Sequence, residues 1–303
     1  MQLPPSVRRS VEQRADSIGF IAVKRAANAI AEAARDSNSV RLSGAEHTAA
    51  YLLTRLPATY AASCKVLDEL RGVPVASVLD IGAGGGSAAL AAHERFPLAR
   101  EITLVERDPL LAEAAREWLP AAHILAGDLR RMTTFPPHDL VIAAWSLGDL
   151  PAATVARLWE AARVALVVIE PGTLRGAAFV RKVREELLAA GAHMAAPCPA
   201  AMPCPMVEPD WCYFAARVEL SSMQRRIQGG DLSYQDERFS YVALVRDPVG
   251  LPRARILRRP RHHPGLIELD VCTAQGRRSE RATKRRDRDA FRAARHAEWG
   301  GAV

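Results

Sequence analysis

The stretch Ser77–Ala92, SVLDIGAGGGSAALAA, leaves few folds open to the chain. Val78 and Leu79 read as the end of a buried strand. Asp80 follows, then a loop with Gly82, Gly84, Gly85 and Gly86, then an alanine-rich helix start. Glycine is needed where the backbone takes positive φ or where a ligand must touch the main chain. A strand that runs through such a loop into a helix is the first unit of a Rossmann-like nucleotide-binding sheet. The dinucleotide form G-x-G-x-x-G would put its third glycine at position 87, where Ser87 stands. The next strand, Ile102–Glu106, ends in an acid. A carboxylate there can accept both ribose hydroxyls, which fits an adenosine ligand.

The rest of the chain alternates around that unit. Strands are expected near 75–80, 101–106, 122–126, 139–145 and 164–170, with helices near 86–96, 109–118, 152–162 and 176–190. This rhythm predicts an α/β fold with a parallel doubly wound sheet. Two apolar runs remain, Trp211–Leu220 and Phe239–Arg246. Upstream, Val7, Val11, Ile18, Ile21, Ala26 and Ile30 recur at helical spacing, which predicts a helix over 6–36. A second helical pattern covers 44–71, with Pro57 expected to break it or start a turn. The chain thus divides into an N-terminal helical region (1–71), a central domain (72–247) and a tail (248–303). In the tail, Ala254–Leu257 and Leu266–Cys272 read as short strands and Gln275-Gly276 as a turn.

Charge sets the tail apart. The chain carries 41 basic and 34 acidic residues, a net +7, and only Lys24, Lys65, Lys182 and Lys284 are lysines. Arginine presents a planar fork suited to phosphate, so the surplus points toward a nucleic-acid partner. Residues 277–295 hold nine Arg or Lys against three acids. Arg277, Arg278, Lys284, Arg285 and Arg286 are the candidate phosphate contacts, since each neutralised phosphate releases condensed counterions. Arg225, Arg226, Arg258, Arg259 and Arg261 extend the same set. A solvated basic terminus is the plainer reading of the same run. No apolar run approaches bilayer-spanning length, and Glu12 and Asp16 interrupt any transit-peptide pattern among Arg8, Arg9 and Arg14. The reading is of a protein inside the cell with no membrane partner, its oligomeric state open with a monomer favoured.

The segment HMAAPCPAAMPCPMVEPDWC brings Cys198, Cys204 and Cys212 within fifteen residues. Pro197, Pro199, Pro203, Pro205 and Pro209 keep it out of helix. A stiff, non-helical loop with three thiols makes poor core. It makes sense as a ligand loop, where metal–thiolate bonds supply on the order of 10 kcal/mol to folding. Cys272 is the candidate fourth ligand and His193 its substitute. Four thiolates suit structural Zn²⁺ or an iron–sulfur cluster. The absence of C-x-x-C knuckles weighs toward the cluster. Cys64 reads as a buried apolar residue.

Two resemblances sharpen these readings. The form D-x-G-x-G-x-G (Asp80, Gly82, Gly84, Gly86) resembles motif I of class I S-adenosylmethionine (SAM) methyltransferases. This implies a loop beneath the methionine part of SAM, with Asp80 near its amino group. Asp128, in AGDL, matches the acid that approaches the adenine in that superfamily. Trp145 and Ser146 stand where cofactor and substrate should meet. The superfamily's Rossmann-like sheet has seven strands, and the runs at 211–220 and 239–246 match its closing antiparallel pair.

The pattern C-P-x-x-x-x-C-P (Cys198-Pro199, Cys204-Pro205), then D-W-C-x-F-x-x-R (Asp210–Phe214, Arg217), then Tyr234 to Tyr241, resembles the Rsm family. These are methyltransferase-like assembly factors of the mitochondrial small ribosomal subunit and their bacterial relatives. Arg55–Tyr60, Cys272-Thr273 and Trp299-Gly300 extend the likeness to roughly residues 45–300. It implies a [4Fe–4S] cluster on Cys198, Cys204, Cys212 and Cys272 that ties the core to the tail. It also implies binding to small-subunit rRNA or its precursor, in the cytoplasm of a bacterium or the mitochondrion of a eukaryote. Tyr213 departs from the family, where many members have His.

The expected architecture is therefore a class I SAM methyltransferase fold. A helical cap precedes it, a Cys-rich insertion at 193–212 interrupts it, and a small basic β-containing extension follows. No residue is identifiable as catalytic. The fourth strand ends Ala144-Trp145-Ser146-Leu147-Gly148-Asp149, without the N/D-P-P-Y/F motif of exocyclic-nitrogen methylation and without a nearby cysteine nucleophile. A methyltransferase acting on rRNA, a non-catalytic rRNA-binding assembly factor and a small-molecule methyltransferase with a zinc clip all remain open.

Overall fold

The computed structural model describes residues 1–35, 42–148, 150–151 and 153–303. Helices α1 (Pro5–Ile18), α2 (Phe20–Arg35) and α3 (Gly44–Leu67) form the cap, and α3 ends in a 3-10 turn at Asp68–Leu70. The single helix expected over 6–36 is two helices. Gly19, at φ +92°, turns the chain between them, a conformation open to glycine because it has no Cβ. Residue 36 lies outside the described residues, as does Asp149.

The expected break at Pro57 does not occur, because α3 runs through it. Proline lacks an N–H and so leaves the carbonyl four residues back without its helical donor. That carbonyl belongs to Leu53, and the Gln224 side-chain amide donates to it at 2.8 Å. The helix is thus completed by a residue 171 positions away. Gln224→Leu should cost about 1–3 kcal/mol by leaving a buried acceptor unmet. Pro57→Ala in the same chain should recover part of the loss, as urea denaturation of the single and double variants would read.

The central domain continues with β1 (Ser77–Ile81), α4 (Ser87–Arg95), β2 (Glu101–Glu106), α5 (Pro109–Trp118), β3 (His123–Ala126) and β4 (His138–Ala144). Then come α6 (Ala153–Ala161), β5 (Ala162–Pro171), α7 (Leu174–Ala189), β6 (His193–Ala196), β7 (Phe214–Glu219), α8 (Ser222–Gln228) and β8 (Tyr234–Val245). The strand order is β3-β2-β1-β4-β5-β8-β6, with β7 also on β8. Strands β1 to β5 are parallel. β8 runs antiparallel to β5, β6 and β7. Every residue of β1 is buried, as expected of a strand covered by helices on both faces. One apolar cluster, with the cap, fills one face of the sheet, and a second lies on the other.

The sheet has eight strands where seven were expected. The extra one comes from a division of the sixth. His193 pairs with Val245 and Ala196 with Ala243, while Phe214 pairs with Phe239 and Glu219 with Tyr234. Both pieces descend the same edge of β8 in the same direction. Residues 197–213 are therefore an insertion inside one strand rather than a loop before it. Trp211 to Tyr213 still belong to that insertion, so the run expected from Trp211 becomes strand only at Phe214.

The tail folds on itself. β9 (Ala254–Ile256), β10 (Arg261–His263), β11 (Leu266–Thr273) and β12 (Gly276–Thr283) make an antiparallel sheet, followed by α9 (Arg288–Arg295). Ile256, Ile267, Leu269 and Val271 are buried in a small core of its own. Alternation along β11 places one face inward and the other out. Among the described residues no helix is long and apolar enough to cross a membrane.

Candidate functional site

The glycine loop sits at the carboxyl ends of the parallel strands, where ligands bind in open α/β sheets. Gly82, Gly84 and Gly86 all take positive φ. Helix α3 lies across the loop. A Cβ at Gly85 would come within 2.6 Å of Leu52 and 2.7 Å of Leu56, and one at Gly84 within 2.9 Å of the Tyr51 hydroxyl. These glycines are there for close approach as much as for φ. Trp118 Nε1–H donates to the Gly85 carbonyl at 2.8 Å and fixes the loop from the other side.

Asp80 is buried, and its Oδ2 accepts from the Ala89 N–H at 2.9 Å. It thereby tethers the start of α4. Burial pushes its carboxyl up to about 7; the Ala89 hydrogen bond opposes this and Glu106 adds to it. An acid raised in the fold is stabilising in its protonated form, so its contribution is fully present below its unfolded value. It is lost as pH rises through about 7. Asp80→Asn keeps an acceptor for Ala89 and should raise stability by about 1–3 kcal/mol at pH 8. That gain should shrink toward pH 4, as melting curves across the range would read.

Glu106 ends β2. Its Oε2 accepts from the Gly84 N–H, and its Oε1 from the N–H groups of Arg107 and Asp108, each at 2.7 Å. The acid expected to hold a ribose thus also ties β2 to the loop. Asp128 stands just beyond β3, its Oδ1 accepting from the Arg130 N–H at 3.0 Å. That hydrogen bond, with the charges of Arg107, Arg130 and Arg131, holds its carboxyl below the usual range. Trp145 follows β4 at φ +55°, unusual for a bulky residue, and its N–H donates to Ile169 at 2.8 Å. The Arg55 guanidinium lies 5.8 Å from the centre of its ring. The Ser146 hydroxyl is buried without a hydrogen-bond partner among the described residues, and Ser146 packs against Gly82. Residues 80, 82, 84, 106, 145 and 146 thus gather around one loop. Tyr51 and Arg55 complete that group; sequence reasoning passed over Tyr51 and placed Arg55 only in a family pattern. The signal for Tyr51 was helical spacing alone.

The four cysteines come together as well. Cys198 and Cys204 in the insertion, Cys212 before β7 and Cys272 on β11 line one cavity, with Arg184, Arg255 and Met202 among its walls. His193, at the start of β6, does not line it. Burial raises the Cys198 thiol against the nearby Arg184 charge, and pushes Cys272 up to about 11 with Cys198 and Cys204 adding. The Cys212 thiol is raised well above its usual range by burial and then by the other three. Among the described residues no three His, Cys, Asp or Glu side chains are grouped as a ready site for a metal ion. In donor chemistry the cavity does fit a thiophilic centre: four thiols, apolar walls, and guanidinium groups to balance thiolate charge.

The insertion is held from several sides. Arg184, 5% exposed, donates to the carbonyls of Ala200 (3.2 Å) and Met202 (2.6 Å). Arg255, 1% exposed, donates to Pro197 O at 2.8 Å, to Gly300 O at 2.9 Å, and to both carboxylate oxygens of Glu69 at 2.7 and 2.9 Å. Asp210 accepts from both Arg258 and Arg277. Trp299 Nε1–H donates to Tyr213 O at 3.1 Å, and the two rings meet edge to face. Tyr213 therefore packs in the joint between insertion and tail.

Of the candidate phosphate contacts, Arg277 pairs with Asp270 and Asp210, and Arg278 with Glu280. Lys284, Arg285 and Arg286 are exposed in the turn between β12 and α9, with no ion-pair partner among the described residues.

Residues 45–303 match the family described as "Mitochondrial small ribosomal subunit Rsm22". The chain is 26% identical over 286 residues to the ribosome assembly protein METTL17, mitochondrial, of Homo sapiens, covering 82% of this chain and 61% of that protein. It thus spans about three fifths of that relative's length. Over 110 residues it is 34% identical to a trans-aconitate 2-methyltransferase of Enterobacter sp. (strain 638), covering 36% of this chain and 38% of that one. Among solved structures it resembles magnesium protoporphyrin IX methyltransferase ChlM from Synechocystis PCC 6803, solved with SAM bound. Identity is 15%, coverage 80% of this chain and 97% of that one, and TM-score 0.41. The fold rests on the strand order and not on that likeness. With more than four fifths of its length matched, the chain belongs to the Rsm22 family.

Proposed function

We propose that this protein is a SAM-binding, methyltransferase-like factor that acts on the small ribosomal subunit or its precursor rRNA during assembly. The observation that carries the reading is the glycine loop framed by Asp80, Glu106 and Asp128 in a chain of the Rsm22 family. Glu106 would take the ribose hydroxyls and Asp128 the adenine side. Asp80, raised by burial, would gain from the ammonium of the methionine part. Bound SAM supplies an electrophilic methyl group, and the chain's own task is to hold it in line with a nucleophile. The protein would work where small subunits assemble, the cytoplasm of a bacterium or the mitochondrion of a eukaryote.

The four-cysteine cavity is proposed to hold a [4Fe–4S] cluster, with Zn²⁺ as the alternative. Cys198, Cys204, Cys212 and Cys272 would be its ligands, and Arg184 and Arg255 would offset its charge. Such a group supplies covalent cross-linking between the sheet and the tail. Lys284, Arg285 and Arg286 are the favoured phosphate contacts, since Arg277 and Arg278 are already paired.

A second reading, assembly without methyl transfer, is favoured by the end of β4. Trp145 and Ser146 stand there in place of a recognisable catalytic motif. Purified protein with tritiated SAM and immature small subunits distinguishes the two. Label in rRNA supports the enzyme. SAM binding and particle binding without label support the second reading. Absence of both removes the proposal.

A further inference from the structure

Helix α3 belongs to the cap and not to the sheet, yet it crosses the glycine loop. Residues four apart share a helix face, so Tyr51 and Arg55 stand together, beside the face from which Leu52 and Leu56 meet Gly85. The Tyr51 hydroxyl lies on Gly84. Burial raises its pKa; the Arg55 charge opposes this, while Glu106 and Asp80 add to it. One cation and two carboxylates therefore bear on the same spot above the loop. Arg55 lies over the Trp145 ring at 5.8 Å and pairs with Glu237 of β8 at 3.2 Å. It is partly exposed, at 31%. The Ser146 hydroxyl, buried and unpartnered among the described residues, faces the same loop.

A ligand with an amino-acid end needs acceptors for its ammonium and a donor fork for its carboxylate. Asp80 offers the first, while Glu106 is taken up by the ribose. We infer that Arg55 offers the second: it selects nucleosides bearing a free carboxylate, releasing Glu237 to pair with the ligand. This rests on the SAM-site reading above and names the group that sets selectivity there. Guanidinium suits the task because its planar fork binds carboxylate through two hydrogen bonds. Glu237 keeps the fork oriented until the ligand's carboxylate replaces it.

The test compares SAM with decarboxylated SAM, which keeps the adenosine, sulfonium and amine, by calorimetric titration of the full chain. Wild type should bind SAM roughly 10–100-fold more tightly, the span of a charged hydrogen-bonded pair. Arg55→Gln should lose that preference while binding decarboxylated SAM as wild type does, which also shows that it is folded. Glu237→Gln, which removes the competing carboxylate, should bind SAM several-fold more tightly with decarboxylated SAM unchanged. Equal loss of both ligands in Arg55→Gln, or no loss of SAM, overturns the inference and leaves the SAM site standing. Weaker SAM binding in Glu237→Gln overturns the exchange. A wild-type chain that binds neither ligand overturns the SAM reading and this inference with it.

Discussion

Glu69→Leu is expected to destabilise the protein by about 3–5 kcal/mol, because it strands a charge that has no water. The Arg255 guanidinium is 1% exposed, and both oxygens of Glu69 answer it. Its remaining partners are the carbonyls of Pro197 and Gly300, which carry no net charge. Arg255→Met alone should cost a similar amount through a different route. Glu69 is 26% exposed and can rehydrate, but two buried carbonyls lose their donor. The double variant should be more stable than Glu69→Leu alone, since neither a buried cation nor its counter-charge remains. The pair joins the end of the cap, the start of the insertion, β9 and the chain's last turn. Its loss should therefore expose the tail to protease before the sheet melts. Urea denaturation together with limited proteolysis would read both effects.

The cysteines should give the other large effect. Serine at 198, 204, 212 or 272 removes one bond to the proposed centre and should abolish metal retention. A structural centre of this kind contributes on the order of 10 kcal/mol to folding, so each variant should melt far below wild type. Cys64→Ala is the control. Cys64 is fully buried in α3, away from the cavity, so this change should leave the metal in place and cost only lost packing. Metal-dependent stability that responds equally to all five changes would argue that cavity packing, and not ligation, is what the thiols provide.

What could be read from the chain beforehand was local. A strand, a glycine loop and a helix follow one another within sixteen residues, and the acids at 106 and 128 fall at strand ends set by the α/β rhythm. The cysteines could be grouped because proline spacing left them no role in a helix. Features that depend on distant partners could not be read. Nothing near Pro57 announces that Gln224 will meet the Leu53 carbonyl. Nothing near His193 says that its four-residue strand and Phe214–Glu219 share an edge of β8, since that register lives in pairings with Val245 and Phe239. The arginine run read as one basic surface, but Asp210 and Asp270, brought in by the fold, pair with Arg277, and Glu280 on the same strand pairs with Arg278. The contact of Tyr51 with the glycine loop, and of Arg55 with Trp145 beside it, was hidden for the same reason: α3 precedes the sheet in sequence and meets it only in the folded chain.

Four thiols line one cavity between the sheet and the tail; the proposal that they share one inorganic centre is the account's central claim, and elemental analysis tests it most directly. Protein purified without oxygen should contain about four iron and four sulfide per chain, and the Cys272→Ser variant, altered only in the tail, should contain neither. Metal-free protein that keeps its tail docked, with all four thiols open to alkylation, would contradict the account.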